Sequence, residues 1–234
     1  MRPHNGAMPS LQSASVTPLP AALPHVLLTG FNAFGGASLN PSWLAVSALD
    51  QEVLEGHLVV AAQLQTVFAA SLPELERLLR LYKPALIIGV GQAGGRSALS
   101  LERVALNIND ASIADNAGAQ PVDTPVVATG PAAYFSTLPI KAMVRGLMQA
   151  GIAAEVSQTA GTFVCNQVFY GLMHRLARQR GKNVARGGFL HVPFLPQQGT
   201  PSMPLEVMVR GLRVAVATAL RTQRDITQAA GSVA

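Results

Sequence analysis

Short apolar runs and amphipathic stripes alternate along this chain. His25-Val26-Leu27-Leu28-Thr29 is an apolar run between turn residues, the pattern of a strand buried on both faces. After the loop Gly30 to Gly36, Asn40 before Pro41 supplies an N-cap and a first helical residue. Trp43, Leu44, Val46 and Ala48 carry that helix to about Asp50. Residues 58–68, rich in Val and Leu, predict a second strand with Thr66 near its end. Ser71-Leu72-Pro73-Glu74 has the spacing of a capping box, and Leu72, Leu75, Leu78, Leu79 and Tyr82 form the stripe of the next helix. A third apolar run, 85–90, leads into Gly91-Gln92-Ala93-Gly94-Gly95-Arg96.

From 101 to 113 apolar and polar residues alternate, which predicts a strand or hairpin arm, and 114–130 reads as an irregular excursion rich in Pro, Asp, Asn and Gly. A helix is expected from near Pro139, capped by Ser136 or Thr137, to Gly151, then a strand over 153–157. Val168, Phe169, Leu172, Met173 and Leu176 stripe a helix that starts near Cys165 and ends near Gly181. A strand over 187–193 contains His191, and a last helix capped by Ser202 runs from about Met203 to about Gln223. Strands alternating with helices imply a sheet covered on both faces. Residues 1–24 and 227–234 lack such patterning and read as a disordered extension and a flexible tail around one domain, 25–226.

Composition narrows the function. With 234 residues, 49% hydrophobic and 12% charged, the chain can close one full core. The net charge of +5 is spread singly along the predicted helices, so it reads as solvated faces and argues against nucleic-acid binding. No window of 18 apolar residues is free of Gly, Pro and charge, which argues against a membrane helix. A single cysteine excludes an internal disulfide and a Cys-based zinc site, and points to a reducing, cytoplasmic compartment.

That cysteine, Cys165, enters its helix from the small-residue turn Thr159-Ala160-Gly161-Thr162. Unpaired N–H groups at a helix start favour an anion, so the thiol is expected to ionise below the roughly 8.5 of a free cysteine. A nucleophilic cysteine needs a base. Of five histidines, His4 lies in the leading segment, His25 opens a strand, His57 sits in a turn, and His174 lies nine positions on, on the opposite helix face. His191 sits inside an apolar strand and needs partners for both ring nitrogens. An acid could orient it, and Glu102, Asp110, Asp115 and Glu155 all lie near apolar stretches. Glu102 follows the glycine loop and heads an apolar strand; periodicity does not choose among the four. Gly89-Val90-Gly91-Gln92-Ala93-Gly94 matches the spacing of a dinucleotide loop, but no helical stripe follows it. No His, Asp and Glu set has metal-ligand spacing.

Several blocks, in order, resemble the pyrrolidone-carboxyl peptidases (pyroglutamyl peptidase I), cysteine peptidases that remove N-terminal pyroglutamate. They are Thr29-Gly30-Phe31 through Phe34-Gly35-Gly36, Asn40 to Trp43, Gly91 to Arg96, Glu102 to Ala105, Asp115-Asn116, Thr159 to Asn166, and Gly187 to Pro193. The resemblance implies an open α/β/α sandwich with a mostly parallel sheet and a β-hairpin excursion. It implies Cys165 as nucleophile, His191 as base and Glu102 as orienting acid, with Phe31, Phe34, Thr66, Gln92 and Val164 lining the pyroglutamyl pocket. It implies no cofactor, peptides with N-terminal pyroglutamate as substrates, and a homo-oligomer, dimeric or tetrameric. Pyroglutamate is an uncharged lactam, which apolar walls and an amide suit. The family has Arg-Ile-Pro-Asp-Asn where this chain has Ser112-Ile113-Ala114-Asp115-Asn116, Thr-Pro against Ser100-Leu101, and His against Gln167. The missing arginine bears on transition-state stabilisation and raises an alternative, a catalytically weak or inactive binder of pyroglutamyl N-termini.

Overall fold

In the computed structural model, which describes residues 23–181 and 184–231, the apolar runs become the strands of one sheet. Strand β1 spans His25–Phe31, β2 Val53–Leu54, β3 His57–Leu64, β4 Leu86–Gln92, β5 Leu99–Glu102, β8 Ala154–Ser157 and β9 Arg186–Val192. They pair in the order β2-β3-β1-β4-β9-β5-β8. Neighbours from β3 to β9 are parallel, as are β5 and β8, while β5 runs antiparallel to β9 and β2 to β3. The mostly parallel α/β expectation therefore holds. The hairpin excursion is a separate antiparallel pair, β6 (Val104–Leu106) and β7 (Ala133–Phe135).

Alternation along each strand feeds two cores. Val26 and Leu28 of β1, with Ile88 and Val90 of β4, pack on helices α1 (Pro41–Ser47), α3 (Ile140–Gln149) and α5 (Leu205–Arg221). Leu27, Ile87 and Phe189 face the other way, against α2 (Phe68–Tyr82) and α4 (Val164–Ala177). Among the described residues no helix is long and apolar enough to cross a membrane.

Local signals held where the partner is local. Asn40 caps α1 through the Ser42 N–H, with Pro41 at the first helical position. Gly30 lets β1 reach that helix, since a Cβ there would lie 2.7 Å from Trp43 Cα. Other boundaries differ. The second strand ends at Leu64, and Thr66 lies in the loop beyond it. Ser71 does not cap α2: it sits inside the helix, fully buried, and its hydroxyl donates to Gln167 Oε1 at 3.0 Å. Asp115 serves that helix start instead, its Oδ2 accepting from Phe68 N–H at 2.8 Å. At α3 neither Ser136 nor Thr137 caps; Asp225 accepts from the Lys141 and Ala142 N–H groups. Ser202 does not cap α5, which starts after Pro204 without a side-chain cap, and α4 stops at Ala177, short of Gly181. Residues 1–22 and 232–234 of the expected terminal segments lie outside the described residues; within the C-terminal one, Ala230 C=O accepts from the Arg103 guanidinium at 2.9 Å.

Candidate active site

The carboxyl ends of parallel strands gather loops, and here they gather the chemistry. Gly91 and Gln92 close β4, His191 and Val192 close β9, and their Cα atoms are in register. Glu102 ends β5 instead of heading a strand, opposite Phe189 across the antiparallel pair. His191, two residues beyond Phe189, is its diagonal neighbour on the same sheet face. The Glu102 carboxylate spans that diagonal: Oε1 accepts from His191 Nδ1 at 2.7 Å, with Glu102 fully buried and His191 nearly so. A carboxylate needs a donor, so Nδ1 carries the proton and Nε2 is the free acceptor.

Nε2 and the thiol converge on one point. A Cβ built on Gly91 would lie 2.8 Å from Cys165 Sγ and 2.9 Å from His191 Nε2. Only glycine leaves that space open. Cys165 reaches it as the second residue of α4, whose N-terminus has no side-chain cap. Asn166, fully buried, secures the helix start: it donates to the Leu106 and Ile108 carbonyls and accepts from Leu106 N–H.

The electrostatics correct one expectation. Protein packed around the half-buried Cys165 and the Glu102 charge push its thiol up to about 12, and the Arg96 charge and the Cys165 backbone N–H act weakly the other way. The helix start therefore does not create a standing thiolate. Burial likewise works against the Glu102 carboxylate, but the His191 hydrogen bond and charge, the Ser157 hydroxyl and the Arg96 charge outweigh it and hold it below the usual carboxylate range.

Arg96 is the residue that pattern reading missed. One guanidinium nitrogen lies 2.7 Å from Glu102 Oε1 and the other donates to Thr159 C=O at 3.1 Å, so it ties the acid to the turn that feeds Cys165. Phe163 was missed too. Its ring stands 6.0 Å from Phe34 and 5.3 Å from Phe68, centre to centre, forming an aromatic wall just before the nucleophile. Its place two residues before Cys165 was the available signal.

Phe34 and Gln92 line a groove of about 670 Å³, with Gly35 to Leu39, Gly94, Ile113, Phe194, Gln197 and Gln198. Phe31, Thr66 and Val164 lie beneath the surface: Phe31 packs on Phe189, Thr66 Oγ1 donates to Asn32 C=O, and Val164 is fully buried. Asp110 and Glu155 are away from the imidazole's hydrogen bonds, Asp115 serves α2, and His174 pairs with the Tyr134 hydroxyl at 2.9 Å. The glycine loop after β4 turns into β5, not into a helix, which removes the dinucleotide reading. Among the described residues no group of three or more His, Cys, Asp or Glu is placed to hold a metal ion.

Known proteins are similar to this chain in sequence and in fold. A pyrrolidone-carboxylate peptidase of Cupriavidus taiwanensis is 59% identical over 216 residues, which cover 90% of this chain and 100% of that one. Among solved structures, pyroglutamyl peptidase I from Bacillus amyloliquefaciens superposes with a TM-score of 0.86 at 44% identity, covering 89% of this chain and 100% of its own. The pyrrolidone carboxyl peptidase from Thermococcus litoralis gives 0.84 at 34% identity, covering 88% and 100%. The family model for pyroglutamyl peptidase matches residues 24–222, most of the sequence, and the chain belongs to that family.

Proposed function

We propose that this protein is a cysteine exopeptidase that hydrolyses the bond after an N-terminal pyroglutamyl residue through a thioester on Cys165. The observation that carries the reading is the convergence of Cys165 Sγ and His191 Nε2 beside Gly91, with Nδ1 held by Glu102. The relatives named above are peptidases of this specificity by name.

With the thiol raised to about 12, proton transfer accompanies attack. His191 Nε2 takes the Sγ proton as sulfur bonds to the acyl carbon. The oxyanion that forms faces backbone N–H groups at the start of α4, where the N-cap residue offers no side-chain cap. Collapse expels the peptide amine, which takes the proton from Nε2. Water, deprotonated by the same nitrogen, then attacks the thioester; pyroglutamate leaves, and Nε2 returns the proton to Sγ. Glu102 keeps the ring in the required tautomer throughout.

Nothing at the site favours the inactive alternative: Ser112 is exposed, and the Glu102–His191 hydrogen bond forms without it. The reading extends to a cytoplasmic enzyme, whose lone thiol needs reducing conditions, and to a homo-dimer or tetramer. A sizing measurement showing only monomer at micromolar concentration would count against the oligomer. The decisive assay is turnover of a pyroglutamyl fluorogenic amide; a rate no higher than that of Cys165→Ala would sink the enzyme reading.

A further inference from the structure

A base that takes a proton from a neutral thiol must itself be unprotonated at rest, since an imidazolium has no lone pair to offer. A buried carboxylate on Nδ1 works against that state, because a neighbouring negative charge favours the charged ring. The contact that stabilises the imidazolium once it forms also tends to hold a proton on the ring before substrate arrives. Arg96 opposes this. Glu102 Oε1 accepts from His191 Nδ1 at 2.7 Å and from an Arg96 guanidinium nitrogen at 2.7 Å, so one oxygen serves both. The guanidinium is permanently charged. With a single carboxylate between the two, it disfavours a second positive charge on the ring.

Main chain fixes where that charge sits. A turn through Gly94 and Gly95, with φ +82° at Gly95, a conformation that favours glycine, immediately precedes Arg96. The second guanidinium nitrogen donates to Thr159 C=O at 3.1 Å, and that carbonyl also accepts from the Ser157 hydroxyl at 3.0 Å. Other elements face the ring and its acid without charge. Gly91 of β4 has no side chain, the Phe189 ring lies 5.0 Å away centre to centre, Ser157 of β8 stands opposite Glu102, and the Cys165 thiol of α4, pushed up to about 12, is neutral at rest. We propose that Arg96 is a positioning residue whose charge, acting through Glu102 Oε1, keeps His191 unprotonated at rest and so extends turnover to lower pH. The proposal rests on the cysteine-peptidase reading of the site.

Two variants separate charge from geometry. Arg96→Lys keeps a positive charge within reach of Oε1 but loses the forked contact to Thr159; Arg96→Gln keeps a donor and removes the charge. The measurements are the acid limb of kcat/KM on a pyroglutamyl fluorogenic amide, and the His191 ring-proton NMR signal followed against pH in a Cys165→Ala background, assigned by its loss in His191→Ala. The Arg96 side chain is 26% exposed, so water screens its charge. We therefore expect the limb and the ring midpoint to move to higher pH by roughly half to one unit in Arg96→Gln. Both should stay in place in Arg96→Lys.

A purely structural role would lower the kcat/KM plateau in both variants and move neither midpoint, and that result would overturn the proposal. So would a move to lower pH in Arg96→Gln, or an equal move in both variants. Should Arg96→Gln lack a cooperative melt, Arg96→Met takes its place: it keeps an apolar stem, has no charge and must show the same upward move, and an unmoved ring midpoint there would overturn the proposal. A ring midpoint that moves as expected in a protein without turnover would remove the peptidase reading and leave the role of Arg96 standing. A kcat/KM limb that moves while the ring signal stays would do the reverse.

Discussion

Helices α2 and α4 lie side by side on one face of the sheet, and their N-termini are treated in opposite ways. Neither has a capping residue of its own. At α2 the deficit is filled from far away: Asp115 bonds Phe68 N–H and also accepts from Ala117 and Ala119. At α4 no side chain arrives, and the second residue is Cys165. Helix α3 resembles α2, with Asp225 over its first turn. The same unpaired donors are thus covered by a distant carboxylate at two helices, and in the mechanism proposed above those of the third serve a substrate oxyanion.

If that contrast is right, changes around α4 should cost rate and changes at α2 and α3 should cost stability. The largest effect belongs to His191→Ala, which removes the imidazole whose Nε2 converges with Sγ beside Gly91. Turnover should fall by roughly 10⁴-fold or more, beyond what any loss of folded protein accounts for, and a loss under tenfold would break the dyad. Next is Glu102→Gln, where rate should drop by roughly 10²- to 10⁴-fold. Because the Glu102 charge raises the thiol, this variant should also shift the pH midpoint of Cys165 alkylation downward while it slows turnover. A midpoint that stays or rises would show that Glu102 does not act on Cys165.

Asp115→Asn tests the other pole. Burial disfavours the Asp115 carboxylate, but the backbone N–H groups of Phe68, Ala119, Ala117 and Gly118 hold it below the usual range. A lowered folded value means the stabilisation is complete above the unfolded value of about 3.9 and is lost as pH falls through the folded one. The variant should be less stable by about 1 kcal/mol near pH 7, and its gap from wild type should narrow below about pH 4. A gap that widens on acidification would contradict the assignment. Smallest is Asp225→Ala, an exposed cap worth about 0.5 kcal/mol, read as a small fall in melting temperature with unchanged kcat/KM.

The parts of the fold legible in sequence were those whose causes sit within a turn of the residue. Asn40 and Pro41 announce α1 because cap and helix are adjacent. The strand read through to Phe68 overran because apolar residues continue from β3 into the first turn of α2, and the carboxylate that starts the helix is 47 positions away. Ser71 mimicked a capping residue by spacing alone, although its partner, Gln167, lies on α4. Nothing local marks β5 as antiparallel, and that reversal is what sets Glu102 diagonal to His191. Cys165, His191 and Glu102 were legible as a set only through the order of several blocks. Arg96 stood in one of those blocks without a role, because one of its two partners, the Thr159 carbonyl, lies 63 positions away and is brought to it only by the fold.

The open space at Gly91 has a consequence for how this protein can change over evolutionary time. Most positions tolerate a graded series of replacements, each slightly worse than the last. Position 91 has no such series, because every other residue brings a Cβ within 3 Å of both Sγ and Nε2. What it contributes is a missing atom, and a neighbouring residue can make room for a methyl there only by moving the sulfur or the imidazole. Drift in the surrounding strands is therefore channelled around this point: β4 and β9 can exchange apolar side chains on the far face, while the near face stays tied to a gap the width of one carbon.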